Sequence, residues 1–133
     1  MKKTLILLVC LSLTSAYAFP PMPASCPNVI QIKSRGLSNN LAQDSNGHWY
    51  AGRTAEFYGT PQKWTFVIGD IFANSKVEAL AEAYEALQSI VYVSGPVKAP
   101  SEKWLCLYSN REGFPTGAIY PPINNSLASI YLK

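Results

Sequence analysis

Trp64 to Gln88 reads WTFVIGDIFANSKVEALAEAYEALQ, and this run decides the fold class. Its first ten residues, Trp64–Ala73, are β-branched and aromatic at both alternating sets of positions. That composition predicts a central strand covered on both faces, or one running beneath a helix. Ser75 then stands three residues before Glu78, the spacing of a capping box, in which two side chains satisfy orphan backbone donors. Val77, Leu80, Tyr84, Leu87 and Val91 follow at helical period and predict one apolar stripe. Ala79, Ala81, Ala83 and Ala86 favour helix between them. Gly95-Pro96 stops any continuation. Glu78, Glu82 and Glu85 share the polar face of this helix and read as solvated.

Outward from this run the signals are mostly those of strands and turns. Asp44-Ser45-Asn46-Gly47 is strong hairpin chemistry, because Asn-Gly tolerates the positive φ of a tight turn. The arms are expected over 37–43 and 48–54. Asn28 to Ser34 (NVIQIKS) reads equally as a short helix capped by Asn28 and closed at Gly36, or as a strand. Trp104 to Ser109 (WLCLYS) predicts a strand with Cys106 at its middle. Ala118-Ile119-Tyr120 predicts a short edge strand cut off by Pro121-Pro122. The pattern at Ser126–Lys133 fits a strand or a helix. The expected architecture is α+β: a single antiparallel sheet with one principal helix packed on a face.

Length and composition bound the rest. The chain has 133 residues, one domain's worth, with a formal net charge of +3 and only 14% charged residues. Soluble domains usually carry roughly 25%. Part of that imbalance belongs to the first eighteen residues. Lys2 and Lys3 form a positive n-region, Thr4–Thr14 (TLILLVCLSLT) an apolar stretch, and Ser15-Ala16-Tyr17-Ala18 a small-residue cleavage site. Residues 1–18 therefore read as a secretory signal cut between Ala18 and Phe19. The apolar run is about half of the ~20 residues that a membrane helix needs. Its removal leaves 115 residues with nine basic and eight acidic side chains, nearly neutral and without a later span. Residues 19–27 (FPPMPASCP) then form a proline-rich extended arm ahead of a single domain over 28–133.

Cys10 leaves with the signal, so Cys26 and Cys106 remain. In an exported chain two cysteines are most simply one structural disulfide, the alternative being two buried thiols. Neither has the C-x-x-C partner of a redox motif.

Catalytic chemistry is hard to find. His48 is the chain's single histidine. It follows a hairpin turn, where a side chain is expected to be exposed and unpaired. No nucleophile elbow, phosphate-binding glycine loop or zinc-protease motif is present. No metal set or cofactor motif emerges, and nothing singles out a pair among Asp44, Glu56, Asp70, Glu102 and Glu112. The low charge speaks against a nucleic-acid partner, which would require clustered cations. Aromatics are the most suggestive remainder. Trp49-Tyr50 and Phe57-Tyr58 are adjacent pairs, so in a strand one member of each faces solvent. Trp49, Tyr50, Arg53, Tyr58, Arg111 and Phe114 are the candidates for a binding surface toward a protein, an envelope component or a glycan. The expected function is that of an exported, non-enzymatic binding protein. The alternatives are a small secreted hydrolase built from carboxylates and tyrosines, or a structural envelope protein.

The chain also resembles a family of small exported bacterial proteins known only as a domain of unknown function (number 4949). The signal peptide, CPNVIQI (26–32), SNGHWYAGR (45–53), YGTPQKWTFVIG (58–69), KVEALAEAYEALQSI (76–90) and KWLCLYS (103–109) carry the resemblance. It spans nearly all of the chain after residue 18. It implies an exported α+β domain with a Cys26–Cys106 bridge and implies no activity.

Overall fold

Asn28 opens the first helix, α1 (Val29–Arg35), by accepting hydrogen bonds from the backbone N–H of Ile30 at 2.8 Å and Gln31 at 3.2 Å. The segment whose pattern left helix and strand open is thus settled by its cap. Gly36, at φ +71°, ends the helix by donating its N–H to Ile32. The computed structural model describes residues 19–123; the expected signal at 1–18 and the segment 126–133 lie outside the described residues.

Six strands follow: β1 (Ala42–Gln43), β2 (Trp49–Glu56), β3 (Trp64–Ile71), β4 (Val91–Ala99), β5 (Lys103–Ser109) and β6 (Thr116–Tyr120). The second helix, α2 (Lys76–Gln88), lies between β3 and β4. The strands form one antiparallel sheet in the order β1-β2-β3-β6-β5-β4. The α+β class with a single antiparallel sheet is therefore as expected, with two helices among the described residues.

Two strand expectations need correcting. β6 was expected at an edge and instead lies between β3 and β5. The prolines after Tyr120 end the strand without placing it at the margin, because only a proline within the ladder removes a ladder donor. Val91, expected as the last residue of the helical stripe, instead opens β4, which continues through Gly95-Pro96 with register shifts between Tyr92 and Val97. Among the described residues β4 pairs only with β5, and an edge is where a strand tolerates proline.

The helix also presents a face other than the expected one. Ser75 Oγ accepts from the Glu78 N–H at 3.1 Å as the capping box requires, while the Glu78 carboxylate reaches one residue further back, to the N–H of Asn74. The buried positions are Ala79, Ala83, Ala86 and Leu87. Val77 is 80% exposed, Tyr84 37%, and Val91 belongs to β4. The physical reason is the bulk of the opposing sheet. Trp64, Phe66 and Ile68 of β3 are fully buried in the same core, so the helix contributes small side chains that let its backbone come close. Tyr84 takes a different role: its hydroxyl donates to the Leu37 carbonyl and accepts from the Leu37 N–H, tying α2 to the turn after α1.

The helices cover only part of this face. Beyond them the arm crosses β5. Trp104 Nε1 donates to the Pro20 carbonyl at 2.8 Å, and the Tyr108 hydroxyl donates to the Pro27 carbonyl at 2.7 Å. Phe19 meets Trp104 edge-on at 5.2 Å, and Pro23 is fully buried. Cys26 and Cys106 are joined between these anchors, 80 residues apart in sequence. Gly95 on the neighbouring β4 has φ +121°, and a Cβ there would stand 2.7 Å from the Leu105 carbonyl oxygen, so only glycine lets β4 close against β5 at this point.

Replacing both cysteines by alanine is expected to cost about 2–5 kcal/mol, since a bridge over this loop length constrains the unfolded chain strongly. A urea unfolding midpoint unchanged from wild type would contradict this.

Candidate functional site

The turn between β1 and β2 brings together the most chemically loaded residues of the molecule. Asp44 sits at its first corner, and its Oδ1 accepts from the backbone N–H of both Asn46 and His48 at 2.9 Å. Gly47 takes the positive φ of the turn, and Asp44 and His48 also pair through their backbones. The second carboxylate oxygen of Asp44 accepts from the Tyr50 hydroxyl at 3.1 Å. These donors hold the Asp44 carboxyl below its ordinary value, the backbone N–H of His48 contributing most.

Asp70 reaches the same corner from β3. It is the exposed member of an otherwise buried strand, and its φ of +61° is one that non-glycine residues adopt at a cost of roughly 1–3 kcal/mol. The β2–β3 register shifts between Trp49 and Ala51, opposite this point. Such a bulge re-aims a side chain, and here it turns the Asp70 carboxylate onto His48 Nδ1. The His48 ring in turn packs on Phe72, with ring centres 4.0 Å apart, and Phe72 is 72% exposed. One donor atom from each of Asp44, His48 and Asp70 lies within 4.8 Å of the others.

This corrects the reading of His48, which is part-buried and paired where an exposed, unpaired ring was expected. It also singles out Asp44 and Asp70 from among the acids. The Asp44-x3-His48 spacing across an Asn-Gly turn was a usable signal for one half of the cluster. The other half depends on a bulge, whose only trace is Gly69-Asp70 interrupting an apolar run. Among the described residues no serine, threonine or cysteine side chain hydrogen-bonds the imidazole.

The six expected surface residues are distributed differently. Trp49 is half-buried and donates through Nε1 to the Ala73 carbonyl. Tyr50 is buried, its ring lying where a Cβ on Gly69 would come within 2.5 Å. Arg53 donates to the Gly36 carbonyl and stands 3.7 Å from Glu56. Tyr58 is buried in the core, and its neighbour Phe57 is the exposed member of that pair, with Lys63 over its ring. Arg111 is exposed, with its backbone N–H bound to Ser89 Oγ. Phe114 packs against the core and is clamped by the Asn110 side chain. Of the six, Trp49 is next to His48 in the chain and Tyr50 reaches the Asp44–His48–Asp70 corner through its hydroxyl bond to Asp44.

Comparisons with protein-family models, curated proteins and solved structures return no match. No helix among the described residues is long and apolar enough to cross a membrane.

Two outcomes follow from this geometry. Burial pushes the Tyr58 phenol well above its ordinary value, and its hydroxyl has no partner among the described residues. Tyr58→Phe is therefore expected to be neutral or to stabilise by about 1 kcal/mol, because an unsatisfied buried polar group costs free energy; a clear loss in urea unfolding would refute it. The depressed Asp44 carboxyl contributes stability above its ordinary value of 3.8, and that contribution disappears as pH falls through its lower folded value. Thermal unfolding from about pH 5 to pH 2 should accordingly fall less steeply in Asp44→Asn than in the wild type.

Proposed function

We propose that the protein is an exported, non-enzymatic binding module that receives an extended apolar segment of a protein partner along the outer edge of its sheet. The observation that carries this is the apolar surface on the face opposite the helices. By strand alternation, Val67, Leu105, Leu107 and Ile119 point to that face. Val67 and Ile119 are buried there against Leu105 and Ile123. Toward β4 the cover ends: Leu107 is 37% exposed, Val97 42% and Val91 56%, with Val93 equally open at the bulge beside them. The surface thus runs into a nine-residue strand whose outer ladder groups have no strand partner among the described residues. Edges of this kind pair readily with an added strand, which supplies backbone hydrogen bonds while apolar pockets take alternate side chains.

The disulfide and the leader-like first eighteen residues support export. Membership of the exported family of unknown function is part of the same proposal and rests on the segments quoted above. The module reading is favoured over the hydrolase because Tyr50 and Tyr58, which such a site would use, are buried in structural roles.

A photo-crosslinking side chain at Val93, introduced in cells that secrete the protein, should yield one discrete adduct on illumination. Leu107→Lys and Val91→Lys should abolish it with little change in unfolding midpoint, since both positions are exposed. No adduct, or one indifferent to both lysines, would overturn the reading.

A further inference from the structure

The Asp44–His48–Asp70 corner lies at the β1–β2–β3 end of the sheet, opposite the β4 edge, and has a chemistry of its own. The geometry points to a binding site for one divalent transition-metal ion of the zinc class, held by the Asp44 and Asp70 carboxylates and the His48 imidazole.

Four observations converge on this. The donor set is mixed: two carboxylates and one imidazole are a combination that zinc-class ions accept, with a further position left for water or a ligand. An imidazole nitrogen also discriminates against calcium and magnesium, which prefer all-oxygen shells. The donor atoms lie within 4.8 Å of one another, and ligands around a tetrahedral ion at ~2.1 Å stand about 3.5 Å apart. His48 Nδ1 and Asp70 are already in direct contact, closer than two ligand atoms of one ion can stand, so the ion replaces that contact; the Asp70 side chain, half exposed, has room to swing aside and present a carboxylate oxygen to it.

The charges are unbalanced as well. Two carboxylates face one imidazole, and among the described residues no lysine or arginine pairs with either. A simple Asp70–His48 ion pair leaves the Asp44 charge without a cationic partner, although its oxygens are hydrogen-bonded, whereas a dication balances both carboxylates. Finally, the ligands are held from behind in the way metal ligands are. Asp44 is oriented by two backbone N–H groups and the Tyr50 hydroxyl and keeps lone pairs to spare, and the His48 ring is fixed by Phe72. Asp70 is turned to the corner by a bulge and a left-handed backbone.

Because the chain has a single histidine, its ring nitrogens give an unambiguous signal. The purified protein, its disulfide intact, is stripped with chelator, labelled with ¹⁵N and titrated with ZnCl₂. The imidazole resonances should move to saturation at one equivalent, and CaCl₂ or MgCl₂ should not reproduce the shift. Asp44→Asn and Asp70→Asn should each weaken zinc binding at least about 10–100-fold, and Tyr50→Phe by about 10-fold, the usual range for ligand support. Asparagine fits the left-handed backbone at position 70, and a preserved amide spectrum shows that each variant is folded. Resonances that stay fixed at millimolar zinc would overturn the site. So would a zinc response that survives in either Asp→Asn variant, since the ion would then be held by His48 with fewer than the three assigned ligands.

Discussion

The bridge between Cys26 and Cys106 is the constraint on which the rest of the molecule leans. α2 packs chiefly on β2 and β3, which leaves the outer part of the helix-side face, over β5 and β4, to other cover. That part is covered by residues 19–27, a segment with no helix or strand hydrogen bonds of its own. An arm of this kind gains nothing from cooperative secondary structure and must be held by what it touches. Two hydrogen bonds from β5 to arm carbonyls, the Phe19–Trp104 contact and the disulfide do so on β5, and Lys98 of β4 stands over the Phe19 ring. The same bond sits against Gly95, where a side chain would force β4 away. Core, arm and edge strand therefore meet at one pair of sulfur atoms.

A second economy of space operates at the other half. Trp64 fills the centre of the core and has its indole N–H satisfied by Thr60, itself buried. With Trp64, Phe66 and Ile68 supplying bulk, the helix contributes methyl groups. Leu87 is the large side chain the helix buries, while Val77 is exposed and Tyr84 is turned aside to bond Leu37.

This explains which parts of the fold were legible in the chain. Ser75 with Glu78, the Asn-Gly turn and the continuous apolar run of β3 carry their own local chemistry, and each forms the element that chemistry favours. The rotation of α2 was not legible, because periodicity ranks side chains by hydrophobicity while packing also ranks them by size. Val77-Leu80-Tyr84 is the greasier stripe, yet Ala79-Ala83-Ala86 is the one that fits beneath β3. β4 was hidden by Gly95-Pro96, a pair that ends a helix but suits an edge strand beside a bridge. β6 was misplaced because its prolines report where a strand stops and not who its neighbours are. For the Asp44–His48–Asp70 corner, the hairpin half was within reach of local pattern. The Asp70 half rests on a backbone conformation set by pairing across the sheet, which no local pattern encodes.

The strand order has a bearing on the time course of folding. β1, β2 and β3 are contiguous in the chain and form one half of the sheet, while β4 and β5 form a hairpin at the far side. Among the described residues the two halves meet only through β6, the last of these strands in sequence, which inserts between β3 and β5. As the chain emerges from its amino end, its first segment must wait for β5, and the sheet must wait for Tyr120, before either is complete. Assembly is thus back-loaded. The two subassemblies stay open-edged until the final strand joins them, an arrangement of long sequence separations that slows folding and prolongs exposure of unpaired strand edges.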